Sequence, residues 1–188
     1  MTGRMMIAGV GNIFLGDDGF GVEVARRLAD AGLPDWVRVA DYGISGMHLA
    51  YDLAEGFETT ILVDASPRGE PPGTVYLMEL SGPDGPVPEA PGGPGPGGPT
   101  PPLAVLDGHG MQPDVVLGML GMLGADAGRV LLVGCEPASI DARIGLSAPV
   151  AAAVDEAVRI VHDLVRAAGA GPGTEAVAGG RTTTDEGG

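Results

Sequence analysis

Residues 9–23 read GVGNIFLGDDGFGVE, set between the apolar run MMIA at 5–8 and the amphipathic stretch VEVARRLADAG at 22–32. A strand, a glycine-rich turn and a helix in that order usually cradle a phosphate. Gly9 and Gly11 fit the first two positions of the dinucleotide fingerprint G-x-G-x-x-G, but the third falls on Phe14. A phenylalanine there is expected to crowd the helix–strand contact that the third glycine exists to permit. The adjacent acids Asp17 and Asp18 stand where the phosphate would sit. A carboxylate about 5 Å from a phosphate charge costs roughly 3 kcal/mol at an effective dielectric near 20. A dinucleotide-dependent enzyme therefore rests on two glycines alone. Helix capping explains one of the two acids well and the second less well, so metal or catalytic work is the competing reading.

Outward from this stretch the chain alternates. Apolar or alternating runs predict strands at Met5–Val10, Trp36–Asp41, Thr59–Asp64, Thr74–Leu80 and Arg129–Gly134,. Helical spacing predicts helices at Asp18–Ala31, stopped by Gly32, and at Gly46–Glu55, Gln112–Leu123 and Ala148–Ala168,. Ser45 and Ser147 are the expected caps, and Pro113 and Pro149 suit first turns,. Strand and helix in alternation mean an α/β sandwich with a mostly parallel sheet, whose sites gather beyond the carboxyl ends of the strands. Residues 82–102, GPDGPVPEAPGGPGPGGPTPP, offer nothing to bury and are expected to form a flexible loop,. The stretch 169–188 is expected to be a disordered tail, which leaves residues 1–168 as a single domain,.

The 188 residues carry a formal charge of −15, with ten basic residues scattered singly. Nucleic-acid binding needs a basic face, so a nucleic-acid partner is not expected. The lone Cys135 has no internal disulfide partner, and the beginning MTGRMMIAGVGN does not read as a signal peptide,. No run approaches the roughly 18 apolar residues of a membrane span. A cytoplasmic protein without a membrane partner is the expectation.

A carboxylate that holds a cation needs company. Asp64 ends the apolar strand ILVD, and His109 stands between two glycines in LDGHGMQPD just before a predicted helix. Asp18, Asp64 and His109 all flank regular elements at the same predicted sheet edge. Each also has a plainer reading, as a cap, a turn acid and an exposed loop histidine. Asp41, at the end of the second strand, is a weaker candidate for that edge. Cys135 in LVGCEP reads as a buried thiol rather than a nucleophile, and His48 and His162 as surface or packing residues. The sequence has neither a G-x-S-x-G elbow nor an H-E-x-x-H pair,.

GVGNIFLGDDGFG, DYGISGMHL, ILVDA, HGMQPDVVL and LVGCEP followed by IGLS occur in this order. Together they resemble the hydrogenase maturation endopeptidases over roughly residues 5–165, apart from the Pro/Gly loop. The resemblance implies a three-layer α/β/α sandwich, phosphorylase/hydrolase-like, with a five-stranded mixed sheet whose fourth strand runs against the others. It implies a peptidase that removes a C-terminal extension from the large-subunit precursor of a nickel–iron hydrogenase after nickel insertion. By motif position it puts the metal and catalytic roles on Asp18, Asp64 and His109, with Asp18 standing where some relatives have Glu. The nickel is expected to arrive with the substrate, and the protein to act as a monomer. A nickel-binding maturation chaperone without hydrolysis is the alternative. The loop 82–102 departs from the family pattern and bears on the route of the substrate.

Overall fold

The computed structural model describes residues 3–81 and 128–170. Strand β1 (Met5–Val10) leads through a single 3-10 turn (Gly16–Gly19) into helix α1 (Phe20–Ala29). Then come β2 (Val37–Gly43), α2 (Gly46–Leu53), β3 (Thr59–Ala65), β4 (Val75–Ser81), β5 (Arg129–Cys135) and α3 (Ala148–Gly169). The predicted helix Gln112–Leu123, the loop 82–102 and residues 171–188 of the expected tail lie outside the described residues. Helix α3 takes in Gly169, the first residue of that expected tail.

The five strands form one sheet in the order β2-β1-β3-β5-β4. The first three pairings are parallel and β4 runs antiparallel to β5. β1, β3 and β5 read as continuous apolar runs because both faces of each are covered,. The pleat sends Met5, Ile7, Ile61, Val63, Leu131 and Val133 into one core with α1 and α3. It sends Met6, Ala8, Val10, Leu62, Val130 and Leu132 into a second core with Tyr42 and α2,. Helices on both faces make this a three-layer α/β/α sandwich with a mixed, mostly parallel sheet.

The expected helix start at Asp18 is two residues early. The chain first closes the 3-10 turn around Asp17 and Asp18, and α1 begins at Phe20 with Gly19 as its N-cap. Neither acid stands at the N-cap of α1. Phe14 does not crowd the helix–strand contact, because its side chain is exposed. Gly21 serves that contact instead. A Cβ on Gly21 would lie 2.0 Å from the Val63 carbonyl oxygen and 2.4 Å from that of Val10. Only a bare backbone lets α1 settle on the ends of β1 and β3. Gly9 answers from the strand, where a Cβ would lie 2.3 Å from the Gly21 oxygen.

Gly21→Ala meets backbone on two strands and has nowhere to shift. It is expected to cost about 3 kcal/mol of stability, the upper end of overpacking, read as a fall in the urea midpoint. An unchanged midpoint would mean that α1 does not rest on this contact.

Candidate active site

The chain leaves β1 through α1 on one face and returns from β2 to β3 through α2 on the other. The direction of winding reverses between β1 and β3, and such a reversal opens a crevice beyond the carboxyl ends of those two strands. The turn after β1 lies over it and packs on β3. Gly11 enters the turn at a φ of 127°, and a Cβ there would lie 1.8 Å from the Asp18 carbonyl oxygen. The Gly11 N–H donates to Gly43 O at 2.9 Å, which ties the turn to the end of β2. The Asn12 N–H donates to Asp18 Oδ2 at 2.7 Å, while Asn12 Oδ1 accepts the Phe14 N–H at 3.0 Å.

The two adjacent acids part company. Asp17 is fully buried. Its Oδ1 accepts the Ser147 N–H at 2.5 Å, and its Oδ2 accepts Ala138 N–H, Ser139 N–H and the Ser147 hydroxyl at 2.8, 3.1 and 2.8 Å. Burial opposes its charge, but these bonds prevail and hold the carboxyl below the usual range,. Ser147 occupies the N-cap of α3 as expected, yet makes no capping bond, because its hydroxyl is given to Asp17. Ser45 likewise sits at the N-cap of α2 without a side-chain cap.

Asp64 lies in the last turn of the pleat of β3, opposite Gly134 of β5, and is 8% exposed. Burial pushes its carboxyl well above the ordinary range, the Asp18 charge pushes it further, and a bond from the Ala65 backbone offsets only part. The structure thus brings Asp18 and Asp64 together at the crevice. His109 lies outside the described residues. Among the described residues no three of His, Cys, Asp and Glu converge on one metal position.

The other candidates take plainer parts. Asp41 is exposed, where its Oδ1 accepts the Gly43 N–H at 2.9 Å and its Oδ2 stands 3.6 Å from Arg26. It also lines a groove of about 430 Å³ beside β2 and α2, with Tyr42, His48 and Asp52. His48 is exposed and His162 half-buried. Cys135 is buried, and burial followed by the charges of Asp17 and Glu136 pushes its thiol up to about 12. Such a thiol is inert as a nucleophile near neutral pH. Sequence reasoning passed over Glu136, the buried acid just beyond β5. It accepts the Arg68 N–H at 2.6 Å and the Gly69 N–H at 3.3 Å, and so fixes the loop that follows Asp64. An acid directly behind an apolar strand end was the available signal.

A doubly wound α/β domain with acids at its switch point is the frame of an enzyme that works at the carboxyl edge of its sheet. No protein-family model matches the sequence. Over 161 residues the chain is 33% identical to a Methanocaldococcus jannaschii protein that bears the provisional name of hydrogenase maturation protease, covering 84% of this chain and 93% of that one. Over 167 residues it is 29% identical to the hydrogenase 2 maturation protease of Escherichia coli K12, covering 88% and 93%. The fold matches that of the hydrogenase maturating endopeptidase HybD from E. coli with a TM-score of 0.66 at 29% identity, over 88% of this chain and 94% of that one. The chain belongs to the hydrogenase maturation proteases, and is a hydrolase of the endopeptidase kind.

A carboxyl raised on folding binds its proton more tightly in the folded state. Its ionised form then costs stability as pH climbs from the unfolded value near 4 through the folded value. Asp64→Asn removes that cost, so its melting temperature is expected to exceed the wild type's at about pH 8 and to match it at about pH 4. A lower melting temperature at the higher pH would contradict a strained charge at Asp64.

Proposed function

We propose that this endopeptidase removes a C-terminal extension from the large-subunit precursor of a nickel–iron hydrogenase once nickel has been inserted. Asp18, Asp64 and His109 hold the nickel that the precursor carries. The observation that carries the reading is the Asp18–Asp64 pair at the switch point, with Asp64 desolvated and facing a like charge. The names borne by the relatives, hydrogenase maturation proteases and a hydrogenase maturating endopeptidase, supply the substrate class.

An acid pair of this kind discriminates by charge. Without a cation the two carboxylates repel each other and one holds its proton, so an unloaded precursor gains little by docking. A divalent ion presented by the precursor displaces that proton and makes both carboxylates attractive partners. Oxygen donors and an imidazole suit nickel, and His109 would complete the set. Nickel held there supplies Lewis acidity beside the scissile carbonyl. One of the two carboxylates orients the attacking water and takes its proton. Water adds to the carbonyl carbon, the C–N bond breaks, and the proton taken from the water passes to the leaving amine.

The chain acts as a monomer in the cytoplasm on this reading. A single thiol buried in the core fits a reducing compartment,. No helix of the described residues is long and apolar enough to cross a membrane.

Intact-mass spectrometry of a cognate precursor tests the proposal. The nickel-loaded precursor is expected to lose a C-terminal peptide with the wild type, while the nickel-free precursor keeps its mass. Asp18→Ala, Asp64→Ala and His109→Ala are each expected to slow cleavage by about 10²-fold or more. Equal cleavage of the nickel-free precursor would remove nickel from recognition.

A further inference from the structure

The trio proposed above gives no part to Asp17, although its carboxylate accepts four hydrogen bonds. Among the described residues, the partners of its side chain belong to the segment 138–147 that follows β5. The backbone repeats the link in three places. Asp17 N–H donates to Ser139 O at 3.1 Å, Gly16 N–H to Arg143 O at 2.8 Å, and Arg143 N–H to Phe14 O at 3.0 Å. The Arg143 guanidinium adds a contact of 3.5 Å to Asp17 Oδ1. One side chain and a short ladder thus pin the Gly16–Gly19 turn to the segment that follows β5.

Successive residues of a 3-10 turn project about 120° apart. Fixing the direction of Asp17 therefore fixes that of Asp18. We propose that Asp17 is a positioning residue, whose clamp on residues 138–147 sets the rotation of the Gly16–Gly19 turn and so aims the Asp18 carboxylate at Asp64. The inference rests on the reading of Asp18 and Asp64 given under the proposed function. It also accounts for Ser147, which leaves its helix uncapped in order to bond Asp17. Asparagine is a poor substitute at position 17. Both Asp17 oxygens accept backbone N–H groups, so an amide nitrogen at either place would face a donor,.

The test compares Asp17→Asn, Ser147→Ala, Asp18→Asn and the double variant Asp17→Asn/Asp18→Asn in the full chain. Cleavage of nickel-loaded precursor gives kcat and KM, and NMR follows the Asn12 amide, which reports on the Asp18 carboxylate it bonds. Asp17→Asn is expected to lower kcat by about 10²-fold, the cost of misplacing a group by an ångström, with KM within about threefold. Ser147→Ala, which removes one donor, is expected to lower kcat by about threefold to tenfold. The double variant is expected to be no slower than Asp18→Asn, because residues that act through one another are not additive. The Asn12 amide is expected to move in both single Asp variants. Unchanged kcat and an unchanged Asn12 amide in Asp17→Asn, even with a lower melting temperature, would overturn the inference and leave Asp17 a fold residue. If Asp17→Asn fails to fold, Ser147→Ala decides, and an unchanged kcat there overturns it. Full activity in Asp18→Asn would overturn the site reading itself, whereas an Asn12 amide that still moves in Asp17→Asn would leave only the clamp geometry standing.

Discussion

Burying charge is the constraint around which the carboxyl edge of this sheet is organised. Asp17 and Asp64 are withdrawn from water to nearly the same degree, at 0% and 8% exposed. Their carboxyls are nonetheless driven in opposite directions. Asp17 is met by a circle of donors that outweighs its desolvation. Asp64 is met by the charge of Asp18 and by one backbone group that compensates only in part. A buried acid with its charge satisfied fits a structural part, and one whose charge is opposed marks a candidate site. The same physics therefore yields a clamp at Asp17 and a candidate site at Asp64 on one edge of the sheet.

The fold sets the distance over which these acids act. Gly9 and Gly21 let α1 descend onto β1 and β3, which brings the start of the helix down to the strand ends. The segment after β5 then grips both loops of the crevice. Residues 138–147 hold the turn that carries Asp18, and Glu136 holds the loop beyond Asp64. Tyr76 steadies that second loop through a bond from its hydroxyl to Ser66 O at 2.7 Å, with the Arg68 guanidinium 5.2 Å from its ring centre. Reactive groups held by a rigid frame keep their geometry at little further entropic cost when substrate binds.

Much of this was legible in the sequence because the sheet is buried on both faces. Continuous apolar runs marked β1, β3 and β5 to within a residue, and half-exposed alternation marked β2 at the edge. The resemblance carried by the motifs named the family and the antiparallel fourth strand, and both stand. The start of α1 and the parts of Asp17 and Ser147 were not legible. The groups that bond Asp17 lie 121 to 130 positions away in the chain, and no local pattern shows which of two adjacent acids turns inward. Ser147 looked like a cap because its position is one, and only the tertiary contact redirects its hydroxyl. Phe14 stays clear of the helix–strand contact for a related reason, since the close approach falls on Gly21, further along than the dinucleotide pattern places it.

Nickel-edge X-ray absorption on the protease mixed with nickel-loaded precursor tests the central claim most directly. The account predicts that the wild type adds oxygen and imidazole donors to the nickel of the precursor. It also predicts that Asp18→Ala and Asp64→Ala each remove an oxygen donor while the precursor still binds. A nickel spectrum indifferent to the protease, or to both substitutions, would contradict a metal role for the acid pair.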